Sequence, residues 1–400
     1  MYQKKDKMIK ILTLIAILCG FCAADTFTNK NTGEKLTGYP ISFTEDGKST
    51  FFTLQKGKID VNTAQWETIY DTNGRNSKVI VIALNGEIML QIITEAGEKA
   101  IAQASSQGPL FILFEIDTPG GQIDYAQKIC SAIRKSPTPV YAFIKGGEHG
   151  GALSAGAAIA FACDKIYMAD GTIIGAATLV TMKEGKVRDA KETYGKEVGE
   201  KYSSAWRGYL ASLAERNGRP ELQARAMVDQ DIEVIEISDA GKRLFIDPVN
   251  KKPGQKVVHT WNKKGTLLTL TSKEAVKSDI ADKEVVSRQD VLADVNALNA
   301  EIVMDDSLPK AEAVFKKAKL KTSDILRDLD LKSKEIGDAD TAQRALKVLR
   351  EAEEDYKALL KLTKEYPDLH INESSLEDQI NFIKAASKEI KIKARRRTPN

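Results

Sequence analysis

The sequence has 400 residues, of which 42% are hydrophobic and 29% are charged, a composition typical of a globular protein with room for two or three domains. The formal net charge of +3 is too small to indicate a nucleic-acid partner, so we exclude that class of function. Charge is uneven along the chain. The end is rich in Lys, Glu, Asp, Ala and Leu, whereas the middle holds most of the glycine and β-branched residues.

The N-terminus has the pattern of an export signal. A lysine-rich start is followed by the apolar run Ile11–Ala24, which is shorter than the roughly 20 residues that span a bilayer. Small residues precede Asp25, as at a cleavage site. We therefore predict a signal peptide over residues 1–24 and an exported, extracytoplasmic or periplasmic mature chain. The alternatives are an uncleaved membrane anchor and a lipoprotein site at Cys22.

Residues 25–77 are predicted to form a small β-rich segment. Phe43–Leu54 alternates in polarity around Asp46-Gly47, a dipeptide typical of hairpin turns. Trp66 is predicted to anchor a small core.

Residues 78–290 have the pattern of repeated β-α units, which predicts an α/β domain. Apolar runs predict strands at Val79–Leu84, Leu110–Ile116, Val140–Ile144, Lys165–Met168, Ile173–Gly175 and Thr266–Leu270. Helical spacing predicts helices at Ala96–Ser105, Ile123–Arg134 and Tyr202–Arg216. Ser272 is predicted to cap a short helix, Lys273–Lys277. The polar stretch Met182–Glu200 has no clear period and is predicted to be a mobile loop that gates the cleft.

Residues 291–400 are predicted to form a charged helical segment. One apolar stripe consists of Leu346, Leu349, Tyr356, Leu359, Leu360 and Thr363. A second consists of Leu376, Ile380, Ile383 and Ile390. Two antiparallel amphipathic helices are the simplest interpretation. The basic end, Lys391–Arg397, is either a contact for an anionic membrane surface or a soluble tail.

Outside the signal, the chain has two cysteines, Cys130 and Cys163, in apolar helical patterns. We predict two buried free thiols, with a single disulfide as the alternative. Because histidine and cysteine do not occur at metal-ligand spacing, we predict neither a metal site nor a cofactor.

Two glycine-rich motifs carry the chemistry. Ser154 follows Gly150-Gly151 and begins an alanine-rich run that reads as a buried helix. Backbone N–H groups at a helix N-terminus are unpaired, and the helix dipole there is positive. Such a position suits a nucleophile that attacks a carbonyl and holds the resulting oxyanion. The upstream motif Asp117–Gly121 follows an apolar strand and is expected to supply the second donor.

A serine nucleophile needs a base, and the histidines are badly placed. His149 lies in the glycine turn, and neither His259 nor His370 lies within the β-α core. A lysine can act as a base when burial disfavours its charged form. Lys201 precedes a helix whose apolar side holds Trp206, Tyr209, Leu210 and Leu213. We expect the lysines of the preceding polar stretch to be solvated; they are Lys183, Lys186, Lys191 and Lys196.

Val79 to about Val286 resembles the protease domain of the membrane-bound, ClpP-class serine peptidases of the NfeD type, relatives of signal peptide peptidase A. The matching motifs are Asp117–Gly121, Gly151–Gly156, Ala162–Ala169 and Ile174–Thr178. The resemblance implies a ClpP/crotonase-like spiral of β-α units and a Ser–Lys dyad. It places the nucleophile at Ser154 and the base at Lys201.

The same resemblance places the oxyanion hole at the N–H groups of Gly121 and Ala155, with Gly120 and Gly151 in substrate-binding or turn positions. The alternatives are a helix N-cap for Ser154 and an ordinary surface lysine for Lys201. Relatives often add membrane helices and a small β-barrel after the protease, whereas a charged helical segment follows here.

The implied function is that of a serine endopeptidase that cleaves apolar segments of exported or membrane proteins. By family association, the partners are a peptide or protein substrate, a stomatin-like membrane protein and further copies of the chain in a homo-oligomer. One alternative is a catalytically inactive binding or scaffold module of the same fold. The other is a crotonase-type acyl-CoA enzyme, which shares this fold. The export signal and the serine argue against this alternative.

Overall fold

The computed structural model describes residues 25–43, 48–53, 55–69, 78–183, 186–298 and 300–397. The chain divides into two compact units, one formed by the residues up to Met89 together with Gly97–Leu308, the other by Leu90–Ala96 and the residues from Pro309 onward. The predicted signal peptide lies outside the described residues. Within the described ranges, every helix is too short or too polar to cross a membrane.

The N-terminal segment is a five-stranded antiparallel sheet in the order β4-β3-β2-β1-β5. Its strands are β1 (Asp25–Asn29), β2 (Lys35–Phe43), β3 (Lys48–Thr53), β4 (Gly57–Asn62) and β5 (Trp66–Ile69). β2 and β3 pair as the predicted hairpin requires, although residues 44–47 of its turn lie outside the described residues. Phe27 stacks on Phe51 at a centroid distance of 4.0 Å, and Trp66 packs against this core, as predicted.

A long series of strands and helices follows. Its first half comprises β6 (Lys78–Asn85), α1 (Gln91–Ser106), β7 (Phe111–Asp117), α2 (Ile123–Lys135), β8 (Val140–Ile144), β9 (Gly151–Leu153), α3 (Ala155–Ala162), β10 (Lys165–Ala169), β11 (Ile173–Gly175), β12 (Val180–Lys183) and β13 (Lys186–Asp189). Its second half comprises α4 (Ala190–Tyr194), α5 (Lys196–Arg216), α6 (Glu221–Ala226), β14 (Val234–Asp239), β15 (Lys242–Ile246), β16 (Lys256–Asn262), β17 (Thr269–Thr271), α7 (Ser272–Lys277), β18 (Lys283–Val285), α8 (Arg288–Asp294) and β19 (Glu301–Asp305).

The central sheet is parallel, with the strand order β18-β10-β8-β7-β6-β19. Its inner strands are apolar because both faces are covered; every residue of β7 and β8 is buried. Parallel neighbours need crossover connections, which α1, α2 and α3 supply. A smaller sheet, β17-β11-β9, carries the second glycine motif.

The polar stretch Met182–Glu200 is not the loop that its sequence predicts. It contains part of a hairpin, the helix α4 and the first turn of α5. The Asp189 side chain caps α4 by accepting a hydrogen bond from the N–H of Lys191. These elements were not predicted because their sequence has no apolar period. Local capping and close backbone packing hold them together instead. At α7 the cap is Thr271, one residue earlier than predicted, in a capping box with Glu274.

The central sheet also extends past residue 290, where the sequence analysis placed the domain boundary. β19 pairs with β6 from Glu301 opposite Lys78 to Asp305 opposite Ile82. As an edge strand β19 needs no continuous apolar run, and Met304 is half exposed.

The C-terminal segment contains three long helices rather than two: α9 (Ser307–Gly337), α10 (Ala342–Glu365) and α11 (Glu373–Arg397). The predicted stripes of α10 and α11 meet in one core through Leu349, Leu359, Leu376 and Ile383. Leu329 of α9 joins that core. The apolar stripe of α9 was not predicted from the sequence because lysines and aspartates separate its few apolar positions.

Candidate active site

The tertiary structure brings the two glycine-rich motifs together. Thr118, just after β7, forms a parallel bridge with Ala152 in β9. The Thr118 N–H donates to the Gly151 carbonyl at 2.8 Å, and the Leu153 N–H donates to the Thr118 carbonyl at 3.0 Å. The turn after β7 therefore lies beside Ser154, as the sequence analysis expected.

Gly120 is in direct contact with Ser154. Its φ is +109°, and a Cβ at this position would lie 2.5 Å from Cβ and 3.0 Å from Oγ of Ser154. Neither the backbone conformation nor the space admits another residue. Thr118 stabilises the turn, because its Oγ1 accepts a hydrogen bond from the Gly120 N–H at 3.0 Å. Thr118 was not among the predicted site residues, although a threonine two residues before a glycine is a signal for such a turn.

Ser154 has a strained backbone at the junction of β9 and α3. Its φ of 53° and ψ of −120° fall in a region that residues other than glycine rarely occupy. Its N–H donates to the Gly175 carbonyl of β11 at 2.9 Å, which ties the turn to the neighbouring strand. The side chain does not cap α3, and its Oγ makes no hydrogen bond with any described residue. The hydroxyl is therefore positioned without a structural hydrogen bond.

Two backbone N–H groups are candidate donors to an oxyanion at Ser154. One belongs to Gly121, in the turn whose Gly120 contacts Ser154, and the other to Ala155, the next residue in the chain. The Ile88 N–H donates to Gly120, and the Ile88 carbonyl accepts from Gln122. These two bonds bracket Gly121, whose own N–H has no partner among the described residues. Ala155 is the first residue of α3, so its N–H lies at an unpaired helix N-terminus. An arrangement of this kind can stabilise an oxyanion.

Lys201 is on a different face of α5 from the one that sequence analysis expected. The buried stripe of α5 includes Gly199, Ser203, Trp206, Leu210 and Leu213. At 3.6 residues per turn, Lys201 is rotated about the helix axis by about 140° from Trp206 and by about 180° from Leu210. Its side chain is exposed and makes no hydrogen bond or ion pair with the described residues. The apolar wall therefore faces away from its amine, and no hydrogen bond joins Lys201 to Ser154.

The neighbouring lysines differ in their surroundings. The ammonium of Lys191 lies 2.8 Å from Glu200, and this hydrogen bond raises the pKa of Lys191 above its usual value. Lys191 therefore holds its proton and is poorly suited to act as a base. Lys196 is exposed, without a partner in the described part of the chain, like Lys201. The side chains of Lys183 and Lys186 are not among those that the structure describes.

Asp117 and His149 have structural surroundings. The Asp117 carboxylate accepts hydrogen bonds from the N–H groups of His149 and Gly151, both at 3.2 Å. Asp117 therefore orders the second glycine turn. His149 precedes β9, whereas Ser154 follows it, so the strand separates their backbones.

The predicted free thiols are confirmed. Cys130 and Cys163 are both buried and unlinked. Burial raises the pKa of Cys130 to about 12. Neither thiol therefore has the exposure or the acidity of a reactive cysteine.

Replacing Trp206 with phenylalanine is expected to destabilise the packing of α5 against the segment that follows β11. The buried Trp206 donates its Nε1–H to the Ala177 carbonyl at 2.9 Å, two residues after the Gly175 carbonyl that holds Ser154. An unsatisfied buried carbonyl costs about 1–3 kcal/mol, so the free energy of unfolding should fall by that amount in urea titrations. The exposed-ring control Tyr202→Phe should change it little; equal losses in both variants would contradict this role for Trp206.

Gly151→Ala is expected to lower the free energy of unfolding by about 3 kcal/mol or more, because overpacking a tight backbone contact is costly. A Cβ at Gly151 would collide with the Ile173 carbonyl of β11. The matched control is Gly208→Ala in α5, where a Cβ meets open space. That change should stabilise the helix by about 0.8–1.0 kcal/mol. Similar unfolding midpoints for both variants would contradict the close contact between β9 and β11.

Residues 78–253 match the family model of the NfeD1b N-terminal domain. The membrane protein NfeD1b of Bacillus subtilis (strain 168) is 35% identical over 126 residues, which cover 32% of this chain and 25% of that protein. The membrane-bound protease PH1510 of Pyrococcus horikoshii is 30% identical over 139 residues, covering 34% of this chain and 29% of that protein. The chain thus spans little more than a quarter of the length of these relatives.

Among solved structures, a mutant of the 1510-N membrane-bound stomatin-specific protease in complex with a substrate peptide is similar to this chain. It has a TM-score of 0.43 and 21% identity, and the match covers 58% of this chain and 93% of that one. The predicted α/β core of repeated β-α units and the resemblance of this part of the chain to the NfeD-type membrane-bound proteases are confirmed.

Proposed function

With residues 78–253 identified as a domain of the NfeD type, we propose that this chain is a serine endopeptidase with Ser154 as its nucleophile. The observation that carries the proposal is the strained backbone of Ser154 with its unpaired Oγ. The free Gly121 N–H lies in the turn whose Gly120 contacts Ser154, and the Ala155 N–H follows Ser154 at the start of α3. A backbone conformation that costs about 1–3 kcal/mol persists where surrounding contacts enforce it, and such conformations cluster at functional sites.

In the proposed reaction, Ser154 Oγ forms a bond to the carbonyl carbon of the substrate while a lysine accepts the hydroxyl proton. The carbonyl oxygen becomes an oxyanion, which accepts hydrogen bonds from the N–H groups of Gly121 and Ala155; removing one such donor typically costs about 100- to 1000-fold in kcat. The C–N bond then breaks, and the lysine donates its proton to the leaving amine. Water hydrolyses the acyl-enzyme, which restores Ser154.

We assign the base to Lys201, as the resemblance implies. Catalysis requires its amine within about 2.6–3.2 Å of the serine oxygen, a distance that enzymes often reach only with substrate bound. The exposed Lys201 side chain has no ion pair to restrain it, in contrast to Lys191 with Glu200. The proposal therefore includes a rearrangement of the segment that carries Lys201 when substrate binds or when copies of the chain assemble.

The proposed substrates are apolar peptide segments of exported or membrane proteins. Large apolar side chains are about half exposed on β12, α4 and α5: Val180, Tyr194, Val198 and Tyr202. Burying such side chains against an apolar peptide would be favourable. The solved relative is named as stomatin-specific and holds a substrate peptide. By analogy, the proposed partner of this chain is a stomatin-like membrane protein, at an extracytoplasmic membrane face.

An inactive binding module is the second candidate. The outward position of Lys201 favours it, because the described residues place no base on the Ser154 hydroxyl. Such a module would bind peptides without cleaving them.

The test is peptide hydrolysis by the chain from Asp25 onward. Casein and a panel of apolar peptides would be incubated with wild type and Ser154→Ala, and the products identified by mass spectrometry. Cleavage by wild type alone, with labelling of Ser154 by a fluorophosphonate, would support the peptidase. Binding of peptides without cleavage or labelling would overturn it and leave the binding module.

A further inference from the structure

A three-stranded antiparallel sheet, in the order β15-β14-β16, follows α6. The outer part of this sheet comprises the β14–β15 turn, β15, the connection Asp247–Gln255 and the start of β16. We call residues 238–258 the β-tongue. Most residues of the β-tongue are exposed, including all of 238–244 and 249–254.

Four lysines of the β-tongue are exposed and uncompensated. They are Lys242, Lys251, Lys252 and Lys256, and none makes an ion pair or a side-chain hydrogen bond with the described residues. Arg243 differs, because it pairs with Glu236 at 2.8 Å and with Asp279 at 3.3 Å. Within the β-tongue these four lysines and Arg243 stand against two acidic residues, Asp239 and Asp247, so the segment has a formal net charge of +3.

The strand register places two of these lysines, Lys242 and Lys256, at one end of the sheet. Lys242 lies opposite Asp239, and Lys256 lies opposite Ser238, so both flank the last two residues of β14. Gln255 connects the intervening segment to the same end. Its amide donates to Asp239 at 2.8 Å, and its oxygen accepts from the Lys252 N–H at 2.8 Å.

Aliphatic side chains lie among the lysines. Val249 is 83% exposed, and Leu244, Val257 and Val258 are between 41% and 58% exposed. Leu244 and Val257 flank the fully buried Ile237 in the register of the sheet. The β-tongue thus combines exposed aliphatic groups with lysines that make no ion pair with the described residues, on one short element.

We propose that the β-tongue binds an anionic lipid surface. Interfaces between proteins are depleted of lysine and enriched in tyrosine, tryptophan and arginine, which argues against a protein partner here. Lysine clusters beside apolar side chains suit the boundary of a membrane, where the ammonium groups meet anionic headgroups and the aliphatic groups enter the acyl region. The inference rests on these residues and does not depend on the proposed peptidase activity.

The test is flotation of the chain from Asp25 to Asn400, which contains every described element, with lipid vesicles. Binding is expected to vesicles of phosphatidylcholine with phosphatidylglycerol, to weaken with added salt, and to be absent with phosphatidylcholine alone. The triple variant Lys251→Glu, Lys252→Glu, Lys256→Glu should bind more weakly by at least about 100-fold, because each lost positive charge costs about fivefold and each added negative charge costs more. Val249→Asp should also weaken binding, because it removes an inserted apolar group.

Two exposed positions on α9 serve as matched controls. Lys316→Glu with Lys317→Glu reverses lysines that also lack partners among the described residues, and Leu320→Asp alters a side chain that is 59% exposed. Neither should change vesicle binding. Circular dichroism would establish that all variants are folded.

Several outcomes would overturn the proposal. Equal losses in the α9 controls would indicate binding by total charge. Loss only in Lys391→Glu with Lys393→Glu would assign membrane contact to the basic C-terminal end. If the chain does not bind vesicles and the triple variant has a smaller oligomer mass in solution than wild type, the β-tongue is an interface between copies of the chain.

Discussion

Ser154→Ala is expected to lower kcat/KM for apolar peptides by at least about 1000-fold, because loss of a nucleophile removes covalent catalysis. The same change should alter stability little. An N-cap serine would contribute about 0.5–2 kcal/mol, but the Ser154 side chain makes no capping hydrogen bond. Activity would be measured by peptide hydrolysis and stability by urea unfolding. Ser212→Ala, at an exposed serine of α5, is the control and should retain activity.

Ser154→Gly sharpens this test. Glycine accepts a φ of 53° without strain, so the substitution should stabilise the folded state. The greater conformational entropy of glycine in the unfolded chain offsets part of this gain. The expected result is a protein at least as stable as wild type and without activity. A variant that lost stability in proportion to activity would indicate that Ser154 has only a structural role.

Lys201→Ala is expected to lower kcat by about 100-fold or more, the usual contribution of a general base. The structure supplies two matched comparisons on the same segment. Lys196→Ala removes another exposed lysine without a partner among the described residues, and Lys191→Ala breaks the ion pair with Glu200. Lys196→Ala should retain activity within about threefold. Lys191→Ala should mainly affect stability.

The pH dependence of hydrolysis gives an independent readout of this base. A protonated lysine cannot accept the serine proton, so activity should fall as the pH is lowered. A rate that stays flat down to about pH 5 would contradict a lysine base. Loss of activity in Lys196→Ala with full activity in Lys201→Ala would move the base to Lys196.

The two halves of the candidate site differed in how well the sequence predicted them. Ser154 and the motif Asp117–Gly121 were predictable because glycines and a serine at a strand–helix junction form a local signal. Lys201 was less predictable because its environment depends on the rotation of a whole helix. α5 begins at Lys196, and two of its buried positions are Gly199 and Ser203, which sequence reasoning does not count as apolar. The apolar stripe itself was predicted correctly, since Trp206, Leu210 and Leu213 are buried, but Lys201 lies on the opposite side of the helix.

The sequence by itself determined the β-α core and the buried thiols, and it indicated Ser154 at a strand–helix junction, because each depends on apolar runs or on short motifs. The tertiary structure alone decided that Gly120 contacts Ser154, that β19 completes the central sheet and that Lys201 faces solvent. It also decided that Lys242 and Lys256, from two separate strands, lie at the same end of the β-tongue. The physical reason is that strand register and helix rotation are set by contacts between distant segments, which local periodicity does not encode.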